Sequence, residues 1–150
     1  SKESLIPVDK EIEGLQNYLE LEQLRFNGIF DFTITKDQTI EDDMALPPLL
    51  IQPFVENAIL HGIVPKKEKG LISIDFSLSE NHLICTVKDS GIGYKTSLER
   101  KENSVFVHQS MALDIIRKRL KMIEKTTGKK AFFTIEETYS GTEVVVVLPI

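Results

Sequence analysis

Three short stretches carry polar residues or glycines where a packing pattern calls for apolar ones. The first is Gln52-Pro53-Phe54-Val55-Glu56-Asn57-Ala58-Ile59-Leu60-His61-Gly62. Helical spacing aligns Asn57 with His61, four residues on, while Glu56 points to a neighbouring side. An asparagine amide oxygen suits a hard cation such as Mg²⁺, which keeps several waters and takes most other ligands from phosphates. The same stretch also reads as a helix with a solvated polar face and His61 near its C-terminal end. The second is Asp89-Ser90-Gly91-Ile92-Gly93. A carboxylate at a strand end can accept a hydrogen bond from an exocyclic amine, and Gly91 and Gly93 let backbone approach a flat ring. An ordinary glycine turn after a strand is the other reading. The third is Ser110-Met111-Ala112-Leu113, where the free N–H groups of a helix start would cradle phosphate. Taken alone, it is adequately explained as a serine-capped helix start.

The elements that must position these stretches follow from periodicity. Asp9 to Arg25 places Ile12, Leu15 and Leu19 on one face, which predicts an amphipathic helix. Phe30 to Thr35 alternates strictly and predicts a half-buried strand. A second helical region runs from Pro47 to His61, with Pro53 expected to kink it and Gly62 to stop it. Ile72 to Leu78 and Leu83 to Lys88 alternate around Ser79-Glu80-Asn81-His82, an antiparallel hairpin. Residues 95–109 show no clear period and read as a loop or lid. Helical spacing returns from Asp114 to Lys125, ending near Gly128. Ala131 to Glu136 and Glu143 to Leu148 read as strands joined by a turn at Tyr139 to Thr142. The order predicts an α+β fold with helices on one face of a largely antiparallel sheet.

Composition limits the partners. A chain of 150 residues with 41% hydrophobic and 27% charged residues suits one globular domain. Its net charge of −5 argues against a nucleic-acid partner. Cys85 is the only cysteine, so an internal disulfide and a Cys-rich zinc site are excluded and a reducing cytosol suits the chain. No run approaches the roughly 18 apolar residues of a membrane span. The abrupt start at Ser1-Lys2-Glu3 suggests a piece of a longer parent.

In this order, the three stretches resemble the ATPase domain of histidine kinases, in the superfamily shared with DNA gyrase, a heat-shock chaperone and MutL. The phrase Leu46-Pro47-Pro48-Leu49-Leu50-Ile51-Gln52-Pro53-Phe54-Val55-Glu56-Asn57-Ala58 and the preceding Asn17-Tyr18-Leu19-Glu20-Leu21-Glu22-Gln23-Leu24-Arg25-Phe26 are similar to the LytS-like group of sensor kinases. The resemblance implies a two-layer α/β sandwich of the Bergerat type over a mixed, mostly antiparallel sheet. Residues 1–26 would be an entry helix from the dimerisation region, and 27–150 the ATP-binding catalytic domain, with a lid at about 94–110. It implies ATP and Mg²⁺ as ligands, with Asn57 holding the metal and Asp89 receiving the adenine amino group. Gly91 and Gly93 match the first glycine box, Ser110, Ala112 and Leu113 the second, and Gly141-Thr142 the late Gly-Thr pair, whose threonine, Thr142, would support the adenine site. His61 completes the first motif. The implied partners are a phosphoacceptor helix of the same homodimeric parent, a bacterial inner-membrane protein with this domain in the cytoplasm, and a response regulator.

The chain departs from the family in three places. Leu60 stands where relatives often have lysine, which removes a cationic contact to phosphate. Ser110 and Ala112 replace two glycines, adding side chains where backbone should approach phosphate. Pro53 occupies the position of the water-activating glutamate of gyrase-like members, so hydrolytic turnover should be slow. Glu56, beside Asn57, points elsewhere on a helix turning about 100° per residue, and is given at most a supporting part. The alternative to a kinase domain is a non-catalytic module that binds nucleotide or partners with a degenerate second glycine box. None of His61, His82 and His108 lies in a phosphoacceptor phrase. Incubation of this chain alone with Mg²⁺-ATP should therefore leave no phosphohistidine, and acid-labile labelling of any of the three would contradict the reading.

Overall fold

The computed structural model describes residues 4–100 and 103–150, with the backbone alone described at residues 100 and 103–110. The elements are β1 (Ile6–Pro7), α1 (Val8–Arg25), β2 (Phe30–Lys36), β3 (Ala45–Leu46), α2 (Gln52–Asn57), a π-helical turn (Ala58–Ile63) and α3 (Val64–Lys66). They continue with β4 (Gly70–Ser79), β5 (His82–Asp89), α4 (Tyr94–Arg100), α5 (Asn103–Thr127), β6 (Phe132–Thr138) and β7 (Gly141–Pro149).

Five strands form one sheet in the order β2-β4-β5-β7-β6. β2 and β4 run parallel, and the other three pairs are antiparallel. Alternation sends Ile72, Ile74 and Phe76 of β4, Leu83, Cys85 and Val87 of β5, and Val144, Val146 and Leu148 of β7 into the core. Helices cover that face. α1 contributes Val8, Leu15 and Leu19, α2 and the π turn contribute Phe54, Val55 and Ile59, and α5 contributes Leu113, Ile116 and Leu120. α1 stops where Asn27 and Gly28 turn left-handed, at φ 54° and 70°, and Gly28 N–H caps the Gln23 carbonyl at 2.8 Å.

Four local expectations are corrected. Pro53 does not kink a helix, because it stands in the first turn of α2, where its missing N–H has no partner to lose. Gly62 does not end the helical stretch, which continues through the π turn to Lys66 and stops at Lys67, with φ 59°. The predicted loop at 95–109 is helical in α4 and in the first part of α5, and residues 101 and 102 of the expected lid lie outside the described residues. No glycine or proline occurs between Gly93 and Gly128, so nothing in that polar run breaks a helix. The helix expected to start at Ser110 to Leu113 starts instead at Asn103. Those four residues lie in the helix body, where N–H groups are engaged with carbonyls one turn back, and lack the free N–H groups of a first turn. The sheet is more mixed than alternation could reveal, through its parallel β2–β4 pair.

The segment leading into α2 is pinned from two sides. Leu49 adopts φ 59°, a left-handed conformation disfavoured for leucine. The carboxylate of Glu11, only 6% exposed on α1, accepts the backbone N–H groups of Leu49 and Ile51. Arg119 of α5 donates to the carbonyls of Pro48 at 3.0 Å and Leu49 at 3.4 Å. Burial raises the Glu11 pKa, against the lowering effect of the two N–H groups and of Arg119. Two long helices thus fix the approach to Asn57. Glu11→Ala strands the N–H of fully buried Ile51 and should cost on the order of 2 kcal/mol in urea unfolding. Glu11→Gln keeps an acceptor oxygen and should cost markedly less.

Candidate functional site

The inward alternation of β5 runs Leu83, Cys85, Val87 and then Asp89, so the strand's period delivers a carboxylate to the core face. Asp89 is 9% exposed. Its Oδ1 accepts the N–H of Gly91 at 2.8 Å, and the backbone N–H of Thr142, which faces it from β7, also bonds to the carboxylate. Burial pushes its pKa up to about 6, against the lowering effect of those two hydrogen bonds and of the Lys66 charge.

Backbone walls in this carboxylate. A Cβ placed on Gly91 would stand 2.2 Å from the Gly62 carbonyl carbon, and one on Gly141 would stand 1.9 Å from the Asp89 carbonyl oxygen. No side chain fits at either position. The Gly62 carbonyl, in the π turn, accepts the N–H of Ile92 at 3.1 Å and so ties the helical layer to the glycine stretch. Single π turns recur inside helices at functional sites.

Asn57, His61, Asp89, Gly93 and Thr142 line one cavity, closed by apolar side chains that include Phe54, Val87, Ile135 and Val144. Gly91 does not line this cavity but a second groove, with Lys66 and Gly141. The remaining expected contacts are elsewhere: Leu113 is buried in the core and Ala112 is half-buried, and neither lines the cavity. The Ser110 and His108 side chains lie outside what is described. Glu56 does not line the cavity either. It accepts from Gln52 at 3.3 Å and turns toward α1, where burial first, then Glu22 and Glu56, raise the Tyr18 pKa.

Tyr94 and Ser97 were not foreseen in the lining. Their spacing of three is a helical signal, hidden because the run after Gly93 reads as a loop. Gly93, at φ 91°, turns the chain into α4, and its carbonyl receives the Ser97 N–H at 2.9 Å. With α4 seated there, the cavity is about 30 Å³. That is room for about one water, against roughly 300–1,000 Å³ for pockets that hold small ligands. Among the described residues, no three His, Cys, Asp or Glu side chains cluster as a metal cage. Asn57 can therefore serve a cation only as one ligand among oxygens brought by a phosphate and water, the habit of Mg²⁺.

No family model matches the chain. The fold is that of a histidine-kinase catalytic domain. The nucleotide-free catalytic domain of histidine kinase ThkA superposes with a TM-score of 0.66 at 21% identity, over 99% of this chain and 96% of that one. ThkA in complex with the response regulator TrrA gives 0.65 at 16%, over 97% and 41%. Within that class the chain is a homologue of the LytS sensor kinases. Sensor protein LytS of Oceanobacillus iheyensis is 32% identical over 155 residues, covering 99% of this chain and 26% of its own length. Sensor histidine kinase/phosphatase LytS of Staphylococcus aureus is 33% identical over 159 residues, again 99% and 26%. Sensor histidine kinase YpdA of Escherichia coli is 34% identical over 119 residues, 79% and 21%. The chain thus spans about a quarter of the length of the LytS proteins it matches.

The raised Asp89 pKa has a definite sign. The folded state holds this proton more tightly than the unfolded chain, so the associated stability is complete below pH 4 and is lost as pH rises toward about 6. Asp89→Asn has no proton to lose. Urea unfolding of parent and variant from pH 4 to pH 7 should show their stability difference move in the variant's favour by on the order of 2–3 kcal/mol. A difference that stays flat across that range would contradict the burial argument.

Proposed function

We propose that this chain is the ATP-binding catalytic domain of a LytS-like sensor kinase, residues 27–150, with residues 1–26 as its connection to the dimerisation region. It binds Mg²⁺-ATP and presents the γ-phosphate to a histidine on a separate helix of the same parent, from which a response regulator receives it. The observation that carries this reading is the convergence of Asp89, Gly93, Thr142, Asn57 and His61, from four separate elements and one connecting loop, on a single cavity. In it Asp89 accepts the adenine amino group, the apolar walls hold the ring, and Asn57 supplies one oxygen to a magnesium ion carried by the triphosphate. Catalysis is then positioning and charge neutralisation, as a loose phosphoryl-transfer transition state requires.

A second reading is favoured by one observation. The small cavity under α4 and the helical Ser110 to Leu113 suit a domain that keeps the fold and uses its surfaces for partners. Admission of a base requires α4 to move outward, and the two readings differ on whether nucleotide achieves this. Calorimetry of the chain with Mg²⁺-ATP decides between them. Binding that Asn57→Ala and Asp89→Asn each reduce by tenfold or more supports the kinase domain. Absence of binding at millimolar ATP supports the partner module. Because an ionised Asp89 is the better acceptor, affinity should also fall as pH drops below about 6.

A further inference from the structure

We propose that Ser97 is a nucleotide contact, its hydroxyl bonding the base in the cavity that holds Asp89; this rests on the nucleotide reading above. Ser97 is 4% exposed, and its Oγ has no hydrogen-bond partner among the described residues. Nearly all buried hydroxyls are paired, and one that is not weakens the fold that contains it. The usual outlet for a helical serine is the carbonyl one turn back. Here that carbonyl, of Gly93, is bonded to the Ser97 N–H and not to its hydroxyl. The hydroxyl instead belongs to a residue lining the cavity that Asn57, Asp89 and Thr142 also line.

Helical spacing makes the orientation specific. Tyr94 and Ser97 both line the cavity, whereas Thr96 reaches away to Glu137 Oε1 at 3.4 Å. Asp89 and Ser97 line the same small cavity, so a base whose edge meets Asp89 lies within the walls that include Ser97. The two are chemically complementary. An ionised carboxylate only accepts, whereas a hydroxyl donates and accepts. A planar base with an exocyclic amine beside a ring nitrogen offers one donor and one acceptor on a single edge. Asp89 takes the amine and Ser97 donates to the ring nitrogen. An outward shift of α4 in the plane of the base keeps the Ser97 face of the helix turned to that edge.

Ser97→Ala separates this role from a structural one, because the two predict opposite changes. Removal of an unpaired buried hydroxyl should raise the thermal midpoint of the ligand-free chain by a few degrees. The same change should weaken Mg²⁺-ATP binding by about fivefold or more in calorimetry. A lowered midpoint would mean that the hydroxyl holds the fold together and would overturn the assignment. So would a parent that binds ATP beside a Ser97→Ala variant that binds it equally well, which leaves the nucleotide reading intact. A parent that fails to bind millimolar ATP removes the nucleotide reading and the Ser97 assignment with it.

Discussion

A carboxylate removed from water at the end of a central strand is the constraint on which this domain turns. Burial of Asp89 opposes ionisation, and two backbone N–H groups only partly compensate. The N–H donors come from Gly91 and Thr142, in separate parts of the chain, so the carboxylate's position requires β5, β7 and the glycine stretch to be in register at one point. A hydrophobic side chain there would pack with less penalty. Buried carboxylates with raised pKa values of this kind cluster at functional sites.

The walls around that carboxylate explain the glycines better than flexibility does. Backbone meets backbone at Gly91 against Gly62, and at Gly141 against Asp89, leaving no volume for any Cβ. The π turn supplies the matching surface from the helical layer, and the Glu11 and Arg119 contacts hold the segment that leads into it. A strained Leu49 is tolerated because two helices determine its surroundings. The site therefore rests on contacts that reach from α1 to α5, well beyond its own lining.

Much of this was legible in the residues. Strict alternation in β2 and β4 and β-branched runs in β5 and β7 are legible in the sequence, whereas the strand read over Leu83 to Lys88 stops short of Asp89, whose inward direction comes from the fold. The Asn57 and His61 pair follows from helical spacing, and both reach the cavity. What failed was local. A polar run with no apolar period gives no sign of a helix, so α4 and the first turns of α5 were misread, and Tyr94 and Ser97 with them. The two-residue pair β1 and β3 is too short to carry any pattern. Parallel pairing of β2 with β4 depends on a distant partner, which alternation within either strand cannot name.

That parallel pair ties the assembly of the fold to its function. Parallel neighbours cannot be joined by a tight turn, so the chain between β2 and β4 has to travel across the sheet before it returns. The connection that makes this journey, residues 37–69, contains α2, the π turn and α3, the wall that bears Asn57 and His61. Zipping β2 onto β4 closes a long loop, an entropic cost offset in part when the loop's own apolar residues, Phe54, Val55, Ile59 and Ile63, settle in the core. Edge strand and cavity wall therefore support each other: melting of the wall leaves the closure of the β2–β4 loop without its apolar compensation.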